Sequence, residues 1–340
     1  MLTAIPVEDI RRRGSIRDRD VAALRAAYAA CDEVSADEAQ ALFSLHAATP
    51  IQDPSWADLF IEIISEFIVE QSAPAGYLVA ENSRWLMEQV STFGRIETST
   101  ELALLLDVLE RTRWAPPSLS AFALDQIRYA IETGKGPLRA GRNIPVGTIA
   151  AAEVALAGRI LRAFGRETTV AVTRAEADAL FAINRAIAPD GASPAWSEML
   201  VRIIGSSVLA SLGHAVAPRP EIIDTLGMSD FASLLIGDSN ARVDRNQHGE
   251  PSAATACRVW RSARLLMPEE RALLRLERQR LEIVTNEVIE DADDNWLIDA
   301  LSGSRPDDHT EAALLGFVIR EASRLSPALE QFVEQRALAA

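Results

Sequence analysis

The chain has 340 residues, enough for two domains and a sizeable core, and 48% of them are hydrophobic, which marks a folded protein rather than a disordered one. Aromatics make up only 6% and alanine is abundant, which favours helices over sheets. A net charge of −15 argues against a nucleic-acid binder or a protein held on an anionic membrane, and fits a soluble cytoplasmic protein, or one that attracts cations or basic partners.

The first residues, Met1 to Gly14, have no apolar run before Arg11-Arg12-Arg13 and do not read as a secretory signal. Cys31 and Cys257 lack metal or redox spacing and are expected as two unpaired thiols, with a single bridge as the alternative. No apolar run reaches spanning length, because Glu62 and Glu66 interrupt the segment around Phe60–Val69.

Taken in order, the helix starts share one grammar. An apolar residue sits just before a cap, and an acid follows four places later, where its carboxylate can reach back to the cap amide. Ile16/Asp20, Val34/Glu38 with Ser35, Tyr77/Glu81, Ile149/Glu153 and Val172/Glu176 with Thr173 fit it. Ile96 with Glu101 one place late, Val288 with Ala292, and Pro306 with Glu311 are weaker versions. These eight starts pair at separations of 18 to 23 residues, each gap holding one helix and a short loop. The pattern predicts two helices joined by a loop, used four times. Between the pairs, Asp53-Pro54 and Ser193-Pro194 predict further helix starts. Trp56, Leu59, Phe60, Ile63, Ile64 and Phe67 then fall at helical spacing, as do Trp196, Met199, Leu200, Ile203 and Ile204. They are expected as core stripes.

The second half repeats the first. Val34–Phe43 and Val172–Phe181 align at an offset of 138, and Trp56 and Trp196 at 140. Trp85-Leu86 and Trp296-Leu297, then Thr100-Glu101 and Thr310-Glu311, align at 210–211. The difference of about 70 residues predicts an insertion in the second copy, near 217–285. The expected organisation is a first helical repeat at 1–133, a linker at 134–143 containing Gly134-Lys135-Gly136-Pro137, and a second repeat at 144–340. The fold class is all-α: a tandem duplication of helix–loop–helix units with a helical insertion. No convincing strand is found.

This grammar resembles the EF-hand, and the duplicated all-helical layout resembles the tellurite-resistance TerB family. The resemblance covers the repeats and not the insertion. It implies that Val34 and Glu38, and Val172 and Glu176, occupy the eighth and twelfth places of an EF-hand loop, the twelfth being the bidentate acid. The first, third and fifth ligand places then fall on Ala27, Ala29 and Cys31, and on Gly165, Glu167 and Thr169. Alanine and cysteine supply none of the oxygens calcium requires, and capping explains the retained glutamates without a metal.

One loop keeps more oxygen. Asp244, Asn246, His248 and Glu250 are the candidate metal ligands, with Gly249 at the sharp turn and no bidentate acid, since Thr255 stands at the twelfth place. The acidic run Glu287, Glu290, Asp291, Asp293 and Asp294 is a second candidate for a weak cation site, or a complement to a helix dipole. The insertion also carries an arginine-rich strip from Arg258 to Arg280, expected as a solvated face or as a grip on an acidic partner. The histidines His46, His214, His248 and His309 show no metal-binding spacing, and no nucleophile elbow or dinucleotide fingerprint is present.

The expected function is a non-catalytic helical interaction or regulatory protein with a protein partner and no resident cofactor. The alternatives are a weak divalent-cation sensor, with calcium as its ion, and a helical enzyme using Glu38 and Glu176 as a carboxylate pair.

Overall fold

A computed structural model describes residues 7–31, 33–72, 75–163, 172–211, 293–302, 308–321 and 327–339. Among them are thirteen α-helices: α1 (Val7–Arg13), α2 (Asp18–Ala29), α3 (Ala36–Ala48), α4 (Pro54–Ser65), α5 (Ala80–Gln89), α6 (Ser99–Arg111), α7 (Pro117–Thr133), α8 (Ala151–Arg162), α9 (Arg174–Ala186), α10 (Pro194–Ser211), α11 (Asp293–Ser302), α12 (His309–Glu321) and α13 (Pro327–Ala339). The all-α expectation holds, and no described helix is long and apolar enough to cross a membrane. The one departure is a pair of two-residue strands, β1 (Ser15–Ile16) and β2 (Ile51–Gln52), paired in parallel.

Local chemistry sets the helix starts. Asp53 accepts the Ser55 amide (3.0 Å) and hydroxyl (2.6 Å), while Pro54 takes the first helical position, whose amide would be unpaired anyway. Two starts in the first half of the chain differ from the sequence reading. α5 begins at Ala80, which puts Glu81 one place too early to reach back to the cap. α6 is capped by Thr98, so Glu101 stands in register rather than late. The Trp56 stripe is buried through Ile64, but the α-helix stops at Ser65 and passes into a π-helical turn, Glu66–Glu70, which leaves Phe67 half-buried.

A closing contact recurs. The segment entering a helical hairpin is tied by backbone hydrogen bonds to the segment leaving it. Around α2–α3, the Asp53 amide donates to the Ile16 carbonyl (2.9 Å). Around α5–α6, Leu78 donates to Trp114 (2.9 Å) and Arg113 to Gly76 (2.8 Å). Around α8–α9, Ile149 donates to Gly191 (3.1 Å) and Ala188 to Gly147 (2.7 Å). These ties satisfy loop amides and carbonyls that helix ends leave over. At the last of them the backbones approach so closely that a Cβ on Gly191 would lie 2.0 Å from the Gly147 oxygen, which only glycine tolerates.

The described residues fall into two compact units. In the first, residues 7–191, α4 packs on α2 and α6, α5 on α7, and α7 on α8 and α9. In the second, residues 192–211 with the described part of 293–339, α10 packs on α12 and α11 on α13. There Gly205 lies so close to Phe317 that a Cβ would meet its ring at 2.4 Å. The division among the described residues falls at 191/192. The 134–143 stretch belongs to the first unit, with Leu138 and Arg139 buried. The proposed insertion, its arginine strip and Cys257 lie outside the described residues. Cys31 is a free, partly exposed thiol.

Candidate functional site

The acids singled out in the sequence cluster at helix starts, and their geometry shows what holds them. In α3 the Ser35 amide donates to Glu38 Oε2 (3.1 Å) and the Glu38 amide to Ser35 Oγ (3.3 Å). In α6 the same exchange joins Thr98 and Glu101 (3.0 and 3.2 Å), and in α9 Thr173 and Glu176 (2.8 and 3.4 Å). Each is a reciprocal capping box. Burial pushes the Glu101 carboxyl up from the ordinary carboxylate range, against the pull of the Thr98 hydrogen bonds. Glu176 is fully buried, whereas Glu38 is half-buried. In α12 Asp308 takes over the cap, accepting from Thr310 (3.0 Å) and Glu311 (3.2 Å). The buried Glu311 carboxylate meets Arg336 at 3.4 Å.

α8 departs from the pattern. Ala150 holds the cap position and has no side-chain acceptor, so only half the box exists: the Ala150 amide donates to Glu153 Oε2 (2.8 Å). An arginine fills the remainder. Arg139 Nη2 donates to Glu153 Oε2 (3.0 Å) and to the Thr148 carbonyl (2.7 Å). Nε approaches Oε1 at 2.9 Å, at an angle too poor for a hydrogen bond, so the attraction there is Coulombic. Both side chains are nearly dry, at 2% and 1% exposure. Burial pushes the Glu153 carboxyl up, opposed by the Ala150 amide and by Arg139 and Arg142. The sequence marked Glu153 but missed its partner, because Arg139 sits in a glycine-rich stretch that reads as exposed.

A second buried polar group lies at the α3–α4 junction. Trp56 Nε1 donates to His46 Nδ1 (3.1 Å), and Gln52 Nε2 lies 3.2 Å from the same nitrogen. Indole nitrogen only donates, so Nδ1 is the acceptor and the imidazole proton sits on Nε2. The ring stacks on Phe60 at 4.8 Å. Burial lowers the His46 pKa below its usual 6.5. Because the folded value is depressed, the unfolded chain binds the proton more readily. Stability is therefore full above pH 6.5 and declines as pH falls through that value toward the folded one. His46→Asn, which installs the residue found at the aligned position Asn184, is expected to flatten the fall in melting temperature between pH 7 and pH 5.5. An unchanged slope, measured by scanning calorimetry, would remove His46 as its cause.

The candidate ligands Asp244, Asn246, His248 and Glu250 lie outside the described residues, as do Gly165, Glu167 and Thr169. Ala27 and Ala29 fall inside α2, leaving residues 30–35 to join it to α3. Among the described residues no three His, Cys, Asp or Glu side chains gather to hold an ion. Glu38 and Glu176, paired above as an acid and base, each serve the cap of their own helix. Compared with family models, curated proteins and solved structures, the chain matches none.

Proposed function

We propose that this is a non-catalytic helical interaction or regulatory protein, built by duplication of helix–loop–helix units of EF-hand-like, TerB-like descent and working on a protein partner in the cytoplasm. The carrying observation is the use made of the recurring acids. Where an EF-hand would turn its last glutamate onto calcium, Glu38 and Glu176 hold helix starts. The duplication is supported by matching helix lengths: 12 and 12 residues for α2 and α8, and 13 and 13 for α3 and α9. The packing of α4 on α6 and of α5 on α7 recurs as α10 on α12 and α11 on α13. Such a scaffold offers a rigid helical surface instead of a reacting group.

Calorimetric titration of the full chain with calcium, magnesium and manganese to millimolar concentration is expected to be flat. Affinity capture from the native host is expected to yield the same partner with calcium or with chelator. Binding heat abolished by Asp244→Ala would replace this reading with a cation sensor using the Asp244–Glu250 loop.

A further inference from the structure

Phe93 stands out energetically. It is fully exposed, at 101% of its reference area. It is also the one non-glycine among the described residues with a positive φ, 51°. It forms a two-residue turn with Gly94 (φ 77°), closed by reciprocal backbone hydrogen bonds between Thr92 and Arg95 (2.9 and 3.0 Å). Two positive φ values are what a type I′ turn requires, and asparagine, aspartate or glycine normally fill it. Phenylalanine there combines backbone strain with an aromatic ring left in water. Full exposure means that the ring buries no surface, so its own burial contributes nothing to the fold.

The turn is nonetheless held firmly on α7. The Gly94 carbonyl accepts from Gln126 Nε2 (3.2 Å), and Gln126 Oε1 accepts the Ile96 amide (3.1 Å). Arg95 bonds Asp125 (2.5 Å) and lies 4.5 Å above the Tyr129 ring. The ring is thus presented on a fixed mount. Such presentation removes the ordering cost that a flexible aromatic would meet on binding.

We propose that Phe93 is the anchor by which this chain docks into an apolar pocket of a protein partner whose pocket rim is basic. The aromatic ring sets the pocket, as in interface hot spots. The net charge of −15 sets the rim. The same charge works against an anionic lipid surface, and Arg95, which would hold a headgroup, is engaged with Asp125 and Tyr129. This deepens the interaction reading above and rests on it.

The test uses the full chain with Phe93→Asn, which suits the turn, and a chain carrying the photoreactive p-benzoylphenylalanine at position 93. Phe93→Asn is expected to raise the melting temperature by about 2 °C. It is also expected to weaken binding of the captured, purified partner by about tenfold or more, and the photoreactive chain to crosslink to that same partner. Association with the wild-type chain is expected to slow as salt rises. Equal binding by wild type and Phe93→Asn overturns the anchor while leaving the interaction reading intact. Capture of no partner by the wild type overturns both. Crosslinks to lipid or to a second copy of this chain, or a melting temperature lowered by Phe93→Asn, also overturn the anchor.

Discussion

Arg139→Ala is expected to destabilise the first unit by about 3–5 kcal/mol, among the largest effects of any single charged-residue change here. The cost comes from what is left behind. Glu153 is 1% exposed and would keep only the Ala150 amide as a described hydrogen-bond donor, so its buried charge would lose the cation bonded to it and keep only the through-space pull of Arg142. The Thr148 carbonyl would lose its donor as well. Removing the charge with the arginine should recover most of the loss. Arg139→Met combined with Glu153→Leu replaces the pair with apolar groups of similar bulk, which is often close to neutral for buried ion pairs. Urea denaturation of the two variants and their parent measures both. If Arg139→Ala falls within 1 kcal/mol of the parent, the pair is hydrated in solution and the account of α8 fails.

The helix starts were legible because capping is local chemistry. An acid three places after its cap residue either can reach the cap amide or cannot, and Ser35/Glu38 and Thr173/Glu176 show it directly in sequence. The stripes from Trp56 and Trp196 were legible because helical spacing alone decides which side chains share a face. Arg139 was not, since its partner lies 14 residues away and nothing in a Gly-Lys-Gly-Pro stretch announces burial. The π-helical turn after Ser65 was hidden for a related reason, as the apolar pattern runs on unchanged while the hydrogen bonding shifts. The Phe93 turn was missed because Phe-Gly is not a usual type I′ pair. The unit boundary depends on α7 packing against both α8 and α9, a tertiary choice that keeps those two helices with the helices before them.

Trp56→Ala is expected to cost about 3–5 kcal/mol, through the cavity left by the largest side chain in the α4 stripe. Trp56 is fully buried and lies 5.6 Å, centroid to centroid, from Phe60, which in turn stacks on His46 and meets Phe43 edge-on at 5.1 Å. The substitution therefore opens a hole beside the Phe60 and His46 rings, and it also removes the indole donor from His46 Nδ1, leaving Gln52 as the remaining neighbour of that nitrogen. Trp56→Phe separates the two losses. It keeps most of the apolar volume and removes the donor, so it should cost about 1 kcal/mol for the hydrogen bond plus a smaller packing term. Because a deprived Nδ1 is easier to protonate, Trp56→Phe should bring the folded value back toward 6.5 and so shrink the acid decline attributed to His46. Unfolding measured at pH 7 and pH 5.5 reads both effects. Equal losses for Trp56→Ala and Trp56→Phe would mean that the indole's hydrogen bond, and not its volume, holds α3 and α4 together.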